Sequence, residues 1–321
     1  MERGRLLSGL PTARDDKIEG LLYNGLPGHC REAPSTPRSE QITMTSSMTF
    51  REKLQKAQHA HDSWLCVGLD PVVARLPQAV RSATDPLLAF GRAIVEATAD
   101  VVSAYKPNLA FWLAEGAAGV SALQQLIAEI PDDLPVILDA KFNDIGHTAQ
   151  NYARAAFDAL GADAVTLNPY LGVDAVRPFL ATAEHGAFLL ARTSNPSAPQ
   201  LQDIQADGQA LFEHVARLAA IWEEELPGTC GLVMGATYPE ELGRVRATAP
   251  RLPFLIPGIG AQGGDLAAAV EHGPTADGVG PVINSSRGII YASSGPDFGP
   301  AARAAALRLR DRINQEREGD R

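Results

Sequence analysis

From Thr49 onward, short apolar runs alternate with longer segments rich in Ala, Leu and Glu. Residues 64–69 (WLCVGL), 101–106 (VVSAYK), 135–139 (PVILD), 163–168 (DAVTLN), 187–192 (AFLLAR), 230–235 (CGLVMG), 253–257 (PFLIP) and 278–283 (GVGPVI) read as eight strands. Between them, 86–98, 122–130, 149–160, 208–225 and 239–247 read as helices. Thr49-Phe50-Arg51-Glu52 has the form of a capping box and predicts a helix running to about His59. Alternating βα units imply parallel pairing through right-handed crossovers. Eight of them in about 270 residues is the size of an α/β protein of the (β/α)8 TIM-barrel class. A doubly wound open sheet is the alternative, and it would bind its ligand at a switch point instead.

Residues 1–47 show no sustained periodicity and offer little apolar surface, which predicts a disordered extension ahead of a single barrel domain over 48–321. They contain no continuous apolar segment of a secretory signal, and their acidic residues argue against a transit peptide. Met48 directly precedes the capping box, so the alternative is that Met48 is the initiator and 1–47 a start-site artefact. The whole chain of 321 residues is 45% hydrophobic and carries a net charge of -10. With no basic block interleaved with aromatics, nucleic acid is not an expected partner, and any anion must be bound locally. No apolar run approaches the roughly 18 residues that span a bilayer. Cys30, Cys66 and Cys230 are an odd set without metal-ligand spacing, which fits a reducing cytoplasm and leaves no metal site to expect.

The chemistry-bearing residues gather where predicted strands end. Asp139 and Lys141 close the third strand; two apart, they share one face of a regular strand, and Asp144 lies beyond its end. Charges on a buried strand are costly unless paired or functional. Asp70 ends strand 1, Lys106 strand 2, and Arg192-Thr193-Ser194-Asn195 strand 5. Bland readings stand beside these: Asp70-Pro71 as a turn, Lys106 as a snorkelling lysine, Asp144 as a helix N-cap, Ser194 and Asn195 as loop hydrogen-bonders. His147 reads as a first-turn helical residue without a catalytic role. Lysines and carboxylates on three successive strand ends favour a site over scatter. A phosphate site is expected after strands 7 and 8. There the glycines around Pro257-Gly258-Ile259-Gly260 permit close backbone approach, the helix beginning near Asp265 offers N–H groups, Gln262 an amide and Arg287 a bidentate cation beside Gly288.

Gly68-Leu69-Asp70-Pro71, Tyr105-Lys106-Pro107-Asn108, Asp139-Ala140-Lys141-Phe142-Asn143-Asp144-Ile145-Gly146, Pro257-Gly258-Ile259-Gly260 and Arg287-Gly288, in this order and spacing, resemble the orotidine 5'-phosphate decarboxylase family in its longer bacterial form. Phe142-Asn143 departs from the Arg-Gly expected in many close relatives, at positions read as spacers. The resemblance implies conversion of orotidine 5'-phosphate to UMP and CO2 without metal or organic cofactor. Lys141 would stabilise and protonate a carbanion at C6, Asp139 face the substrate carboxylate, and Lys106 keep Asp139 ionised. It further implies that Asp70 and Lys106 contact the ribose, Ser194 the pyrimidine, and Gln262, Arg287 and neighbouring backbone the phosphate. Asp144, Ile145 and Thr148 would reach the partner's site in a homodimer. Three other readings remain: a Mg2+-dependent sugar-phosphate decarboxylase or synthase on the same barrel, a Schiff-base aldolase, and a non-catalytic nucleotide-phosphate sensor. Lys106 opposes the first, because a cation there would repel the metal. Carboxylates flanking Lys141 oppose the second by favouring its ammonium form. Sensing alone leaves Lys141 between two carboxylates unexplained.

Overall fold

The computed structural model describes residues 48–259 and 264–319; the expectation for residues 1–47 lies outside them. Helix α1 (Phe50–Ala60) begins as its sequence predicts. The Thr49 hydroxyl accepts the Glu52 N–H and the Glu52 carboxylate accepts the Thr49 N–H at 2.9 Å, a capping box that satisfies two end groups reciprocally. Its apolar face, Phe50, Leu54 and Ala57, is buried. Phe50 meets Phe188 edge-on at 6.0 Å, and with Leu54 it joins Ala104, Ile137, Ala164 and Val282 in the core inside the sheet. Burial of each large side chain there contributes roughly 1.5–3 kcal/mol.

Eight parallel strands surround this core: β1 (Leu65–Leu69), β2 (Ala104–Pro107), β3 (Ile137–Phe142), β4 (Ala164–Leu167), β5 (Gly186–Arg192), β6 (Thr229–Met234), β7 (Phe254–Pro257) and β8 (Val282–Ser285). Neighbours pair in the order β2-β1-β8-β7-β6-β5-β4-β3. Parallel bridges Tyr105↔Val136 and Asn108↔Asp139 join β2 to β3, so the sheet closes on itself. Closure decides for the barrel over the open doubly wound sheet and places the strands' C-terminal ends around one mouth.

The helices pack outside in a second, larger apolar cluster. Helix α2 (Pro86–Thr98) follows β1, α3 (Gly116–Glu129) follows β2, and α4 (Gly146–Arg154) follows β3. After β4 the chain makes only short turns of helix, Val173–Val176 and Arg177–Leu180. Helices α5 (Leu211–Glu225), α6 (Pro239–Thr248), α7 (Leu266–His272) and α8 (Phe298–Gly319) follow β5 to β8. No helix among the described residues is long and apolar enough to cross a membrane.

Two strands start three or four residues later than expected. Val101 and Val102 hydrogen-bond back to Thr98 at the end of α2, so β2 starts only at Ala104. Gly280 exchanges two 2.9 Å hydrogen bonds with the Gln58 side chain instead of a neighbouring strand, and β8 runs from Val282 to Ser285 rather than over 278–283.

Candidate active site

Inward-facing positions change character along four of the strands. Ala104 on β2, Ile137 on β3, Ala164 on β4 and Leu255 on β7 belong to the internal core, and two residues further on stand Lys106, Asp139, Thr166 and Pro257. These second positions line a cavity of about 460 Å³ together with Lys141, Ser194 and Gln202. That volume suits a small-molecule site.

Asp139 is the hub of this end of the barrel. Its Oδ2 accepts from Lys106 Nζ at 2.9 Å and from Asn108 Nδ2 at 3.4 Å; its Oδ1 accepts from Lys141 Nζ at 2.5 Å and from the Thr166 hydroxyl at 2.9 Å. Burial alone would push the Asp139 carboxyl up, but the two ammonium groups outweigh it and hold the group well below the usual carboxylate range. For Lys106, wholly buried, desolvation favours the neutral amine; attraction to Asp139 and Asp70 wins, and the ammonium is held more tightly than usual. Lys106 therefore does not snorkel. Lys141 differs: its side chain is 46% exposed, so it is the more accessible of the two lysines that line the cavity.

Asp139 and Lys141 do converge, though not through the regular two-residue alternation the sequence suggests. Leu138 pairs with Val165 and Phe142 with Leu167, so four residues of β3 stand against two of β4. The extra length is taken up in a bulge where Lys141 adopts φ +50°, a left-handed conformation that costs a non-glycine residue roughly 1–2 kcal/mol. Its N–H leaves the ladder and is accepted by the Thr166 hydroxyl at 3.0 Å.

Asp70 ties the ends of β1 and β2 together: its Oδ1 accepts the Asn108 N–H at 3.2 Å, and it is not among the residues that line the cavity. Ser194 lines the cavity, close against Gly235, where a Cβ would lie 3.0 Å from the Ser194 nitrogen. Arg192, by contrast, is not among the lining residues. A register shift near the end of β5 accompanies its burial against Tyr238, 3.9 Å from the ring centroid, and its 2.9 Å ion pair with Asp203.

Beyond the bulge, Asp144 is not the N-cap of α4. Ile145 holds that position without a side-chain cap, and Asp144 Oδ1 accepts the Ile145 N–H at 2.8 Å. Ile145 and Thr148 are exposed, and His147 bonds Gln150 within the first turn, as its helical reading requires. Phe142 is more than a spacer: its ring stacks on Tyr152 at 4.4 Å and packs near Phe179, fixing α4 against the end of β3.

At the other side of the mouth, β7 and β8 pair with Asn284 opposite Pro257, which brings the start of the β7 loop beside the turn carrying Arg287 and Gly288, both exposed. Gly258 has φ +104°, open to glycine alone at little cost, and its carbonyl accepts the Gly264 N–H at 3.2 Å. Gly260 and Gln262 lie outside the described residues. The expectation that α7 offers free N–H groups to an anion is corrected: Asp265 is its N-cap and accepts the Ala268 N–H at 3.0 Å, placing a carboxylate where the anion would sit.

Sequence reasoning missed Thr166, and it quoted Asn108 at the end of strand 2 without giving it a role. Neither carries charge; the only signal was their place two residues beyond, or at the end of, inward-facing apolar positions. Among the described residues no group of three or more His, Cys, Asp or Glu is placed to hold a metal ion, and Cys66 and Cys230 are buried free thiols.

Comparison with known proteins matches residues 63–298 to the model of the orotidine 5'-phosphate decarboxylase / HUMPS family. An orotidine 5'-phosphate decarboxylase of Azoarcus sp. is 50% identical over 272 residues, covering 84% of this chain and all of that protein. One from Thermomicrobium roseum is 48% identical over 273 residues, 84% of this chain and 97% of the relative. Among solved structures, a putative orotidine-monophosphate-decarboxylase of Toxoplasma gondii superposes with a TM-score of 0.78 at 40% identity, covering 84% of this chain and 98% of the other. UMP synthase of Leishmania donovani gives 0.75 at 41% identity, covering 84% of this chain and 57% of that one. With Asp139, Lys106 and Lys141 meeting at the barrel mouth and a match spanning most of its length, the chain belongs to the orotidine 5'-phosphate decarboxylase / HUMPS family.

Proposed function

We propose that this protein is an orotidine 5'-phosphate decarboxylase that forms UMP and CO2 in pyrimidine biosynthesis, in the cytoplasm and without cofactor. One observation carries the reading: a buried carboxylate, Asp139, bridges a buried ammonium and a half-exposed one at the floor of a nucleotide-sized cavity. The named relatives support the substrate.

The C6–carboxylate bond breaks, CO2 departs, and the electron pair stays on C6. Lys141 stabilises that charge and delivers a proton from Nζ to C6, to be reprotonated from solvent. Asp139 stands beside Lys141, so a substrate carboxylate approaching the ammonium meets a fixed negative charge that vanishes as an opponent once CO2 leaves. Lys106 keeps Asp139 ionised. Asp70 and Lys106 face the ribose, Ser194 the pyrimidine, and Arg287, Gly288 and the β7 loop (Pro257, Gly260, Gln262) the phosphate. Binding energy gathered at that remote end can drive loop closure over the base.

The active species on this reading is a homodimer. Leu113, Ile145, Tyr170 and Leu171 are large exposed apolar residues following three consecutive strands, and Ile145 lies between Asp144 and Thr148, the residues assigned to the partner's site. A Mg2+-dependent reaction is disfavoured because the Lys106 ammonium already occupies Asp139 Oδ2. The test is spectrophotometric loss of orotidine 5'-phosphate in EDTA. Full turnover is expected; turnover that appears only on adding Mg2+ would overturn the metal-free reading, and none in either condition would overturn the substrate.

A further inference from the structure

We infer that Thr166 is a positioning residue for the reaction: its single hydroxyl sets both the carboxylate of Asp139 and the backbone of Lys141. This rests on the decarboxylase reading above. The hydroxyl is buried, 1% exposed for the residue, and sits on β4 directly across from the bulge of β3. It donates to Asp139 Oδ1 at 2.9 Å and accepts from Lys141 N at 3.0 Å. One donor and one acceptor capacity are thus both used, and in opposite directions along the same three-residue segment.

The Lys141 backbone needs such a partner. At φ +50° it is strained and has left the sheet ladder, so without the hydroxyl its N–H would be unpaired close to the core. Asp139 receives three other donors, two of them cations, and remains ionised without Thr166. Removing the hydroxyl therefore changes geometry while the charges stay as they are. The ammonium would swing on a relaxed bulge, and the transition state, which demands Nζ at one place over C6, would suffer more than ground-state binding at the ribose and phosphate, which other strands provide.

Thr166→Val keeps the shape and removes both bonds. The expected result is a loss in kcat of roughly 10- to 100-fold, the size of one charge-assisted hydrogen bond, with KM and UMP affinity within about twofold of wild type. Thr166→Ser should restore kcat to within about threefold. Wild-type kcat in Thr166→Val would overturn the inference. So would a Thr166→Ser variant as slow as valine, since methyl packing would then be what matters, and so would a parallel fall in kcat and UMP affinity, the mark of general disorder. Should Thr166→Val fail to fold, Thr166→Ala is read by the same three criteria. If wild-type protein itself fails to consume orotidine 5'-phosphate, the decarboxylase reading is what falls, and this inference falls with it.

Discussion

Lys106→Met isolates the electrostatic core of the site. The side chains of Lys106 and Asp139 are 5% and 10% exposed, so the substitution leaves a desolvated carboxylate with Asn108, Thr166 and the half-exposed Lys141 as its partners. Removing one member of a buried ion pair typically costs 3–5 kcal/mol; with Lys141 retained, about 3 kcal/mol is expected here. The pH dependence adds a sign. In the wild type the Asp139 value is depressed below its unfolded one, near 3.9, so its stabilisation is present above that pH and is lost as pH falls through the folded value. Lys106 is raised, so its contribution is present below about 10.4 and is lost as pH rises through its folded value. In the variant, burial of Asp139 is less opposed and its value rises, so the stability deficit should be full at pH 7 and shrink as pH falls through the variant's folded value towards the lower wild-type one. Urea unfolding followed by tryptophan fluorescence reports it, since Trp112 is wholly buried with its Nε1–H on the Leu69 carbonyl at the end of β1. Adding Asp139→Leu to Lys106→Met should recover part of the loss, because no charge is then stranded. A deficit below about 1 kcal/mol at pH 7, or one that does not change with pH, would refute the claim that Lys106 holds Asp139 ionised.

Two further outcomes are expected. Arg287→Ala removes an exposed side chain and should leave the unfolding midpoint unchanged while weakening UMP binding roughly 10- to 100-fold, as measured by calorimetry; unchanged affinity would remove Arg287 from the phosphate site. Ile145→Glu places a charge on an exposed apolar residue and should convert a dimer to a monomer in analytical ultracentrifugation, with loss of turnover. A dimer of full activity would show that this loop does not face a partner.

Periodicity and strand-end polarity made the barrel legible, because an apolar residue such as Ala104 or Ile137 and its polar successor two positions on record which way a strand faces and where its buried part stops. The same logic located Lys106 and Asp139. It gave Lys141 the right destination by the wrong route, since a bulge with a left-handed lysine is a tertiary compromise between β3 and β4 that no local pattern encodes. Thr166 was silent, and Asn108 stood in its motif without a role, for a related reason: a hydroxyl or amide becomes informative only when its partner, 27 or 31 residues away, is known. Phe142 looked like a spacer until its stacking on Tyr152 gave it the task of fixing α4. At Asp265 the sequence showed a helix start but not that its own carboxylate would occupy it.

The most direct test of the account compares Lys141→Ala with wild type in two measurements on the same preparation, single-turnover consumption of orotidine 5'-phosphate and equilibrium binding of UMP. The account predicts no detectable consumption beside a folded barrel that still binds UMP. Near-normal decarboxylation by Lys141→Ala would contradict it.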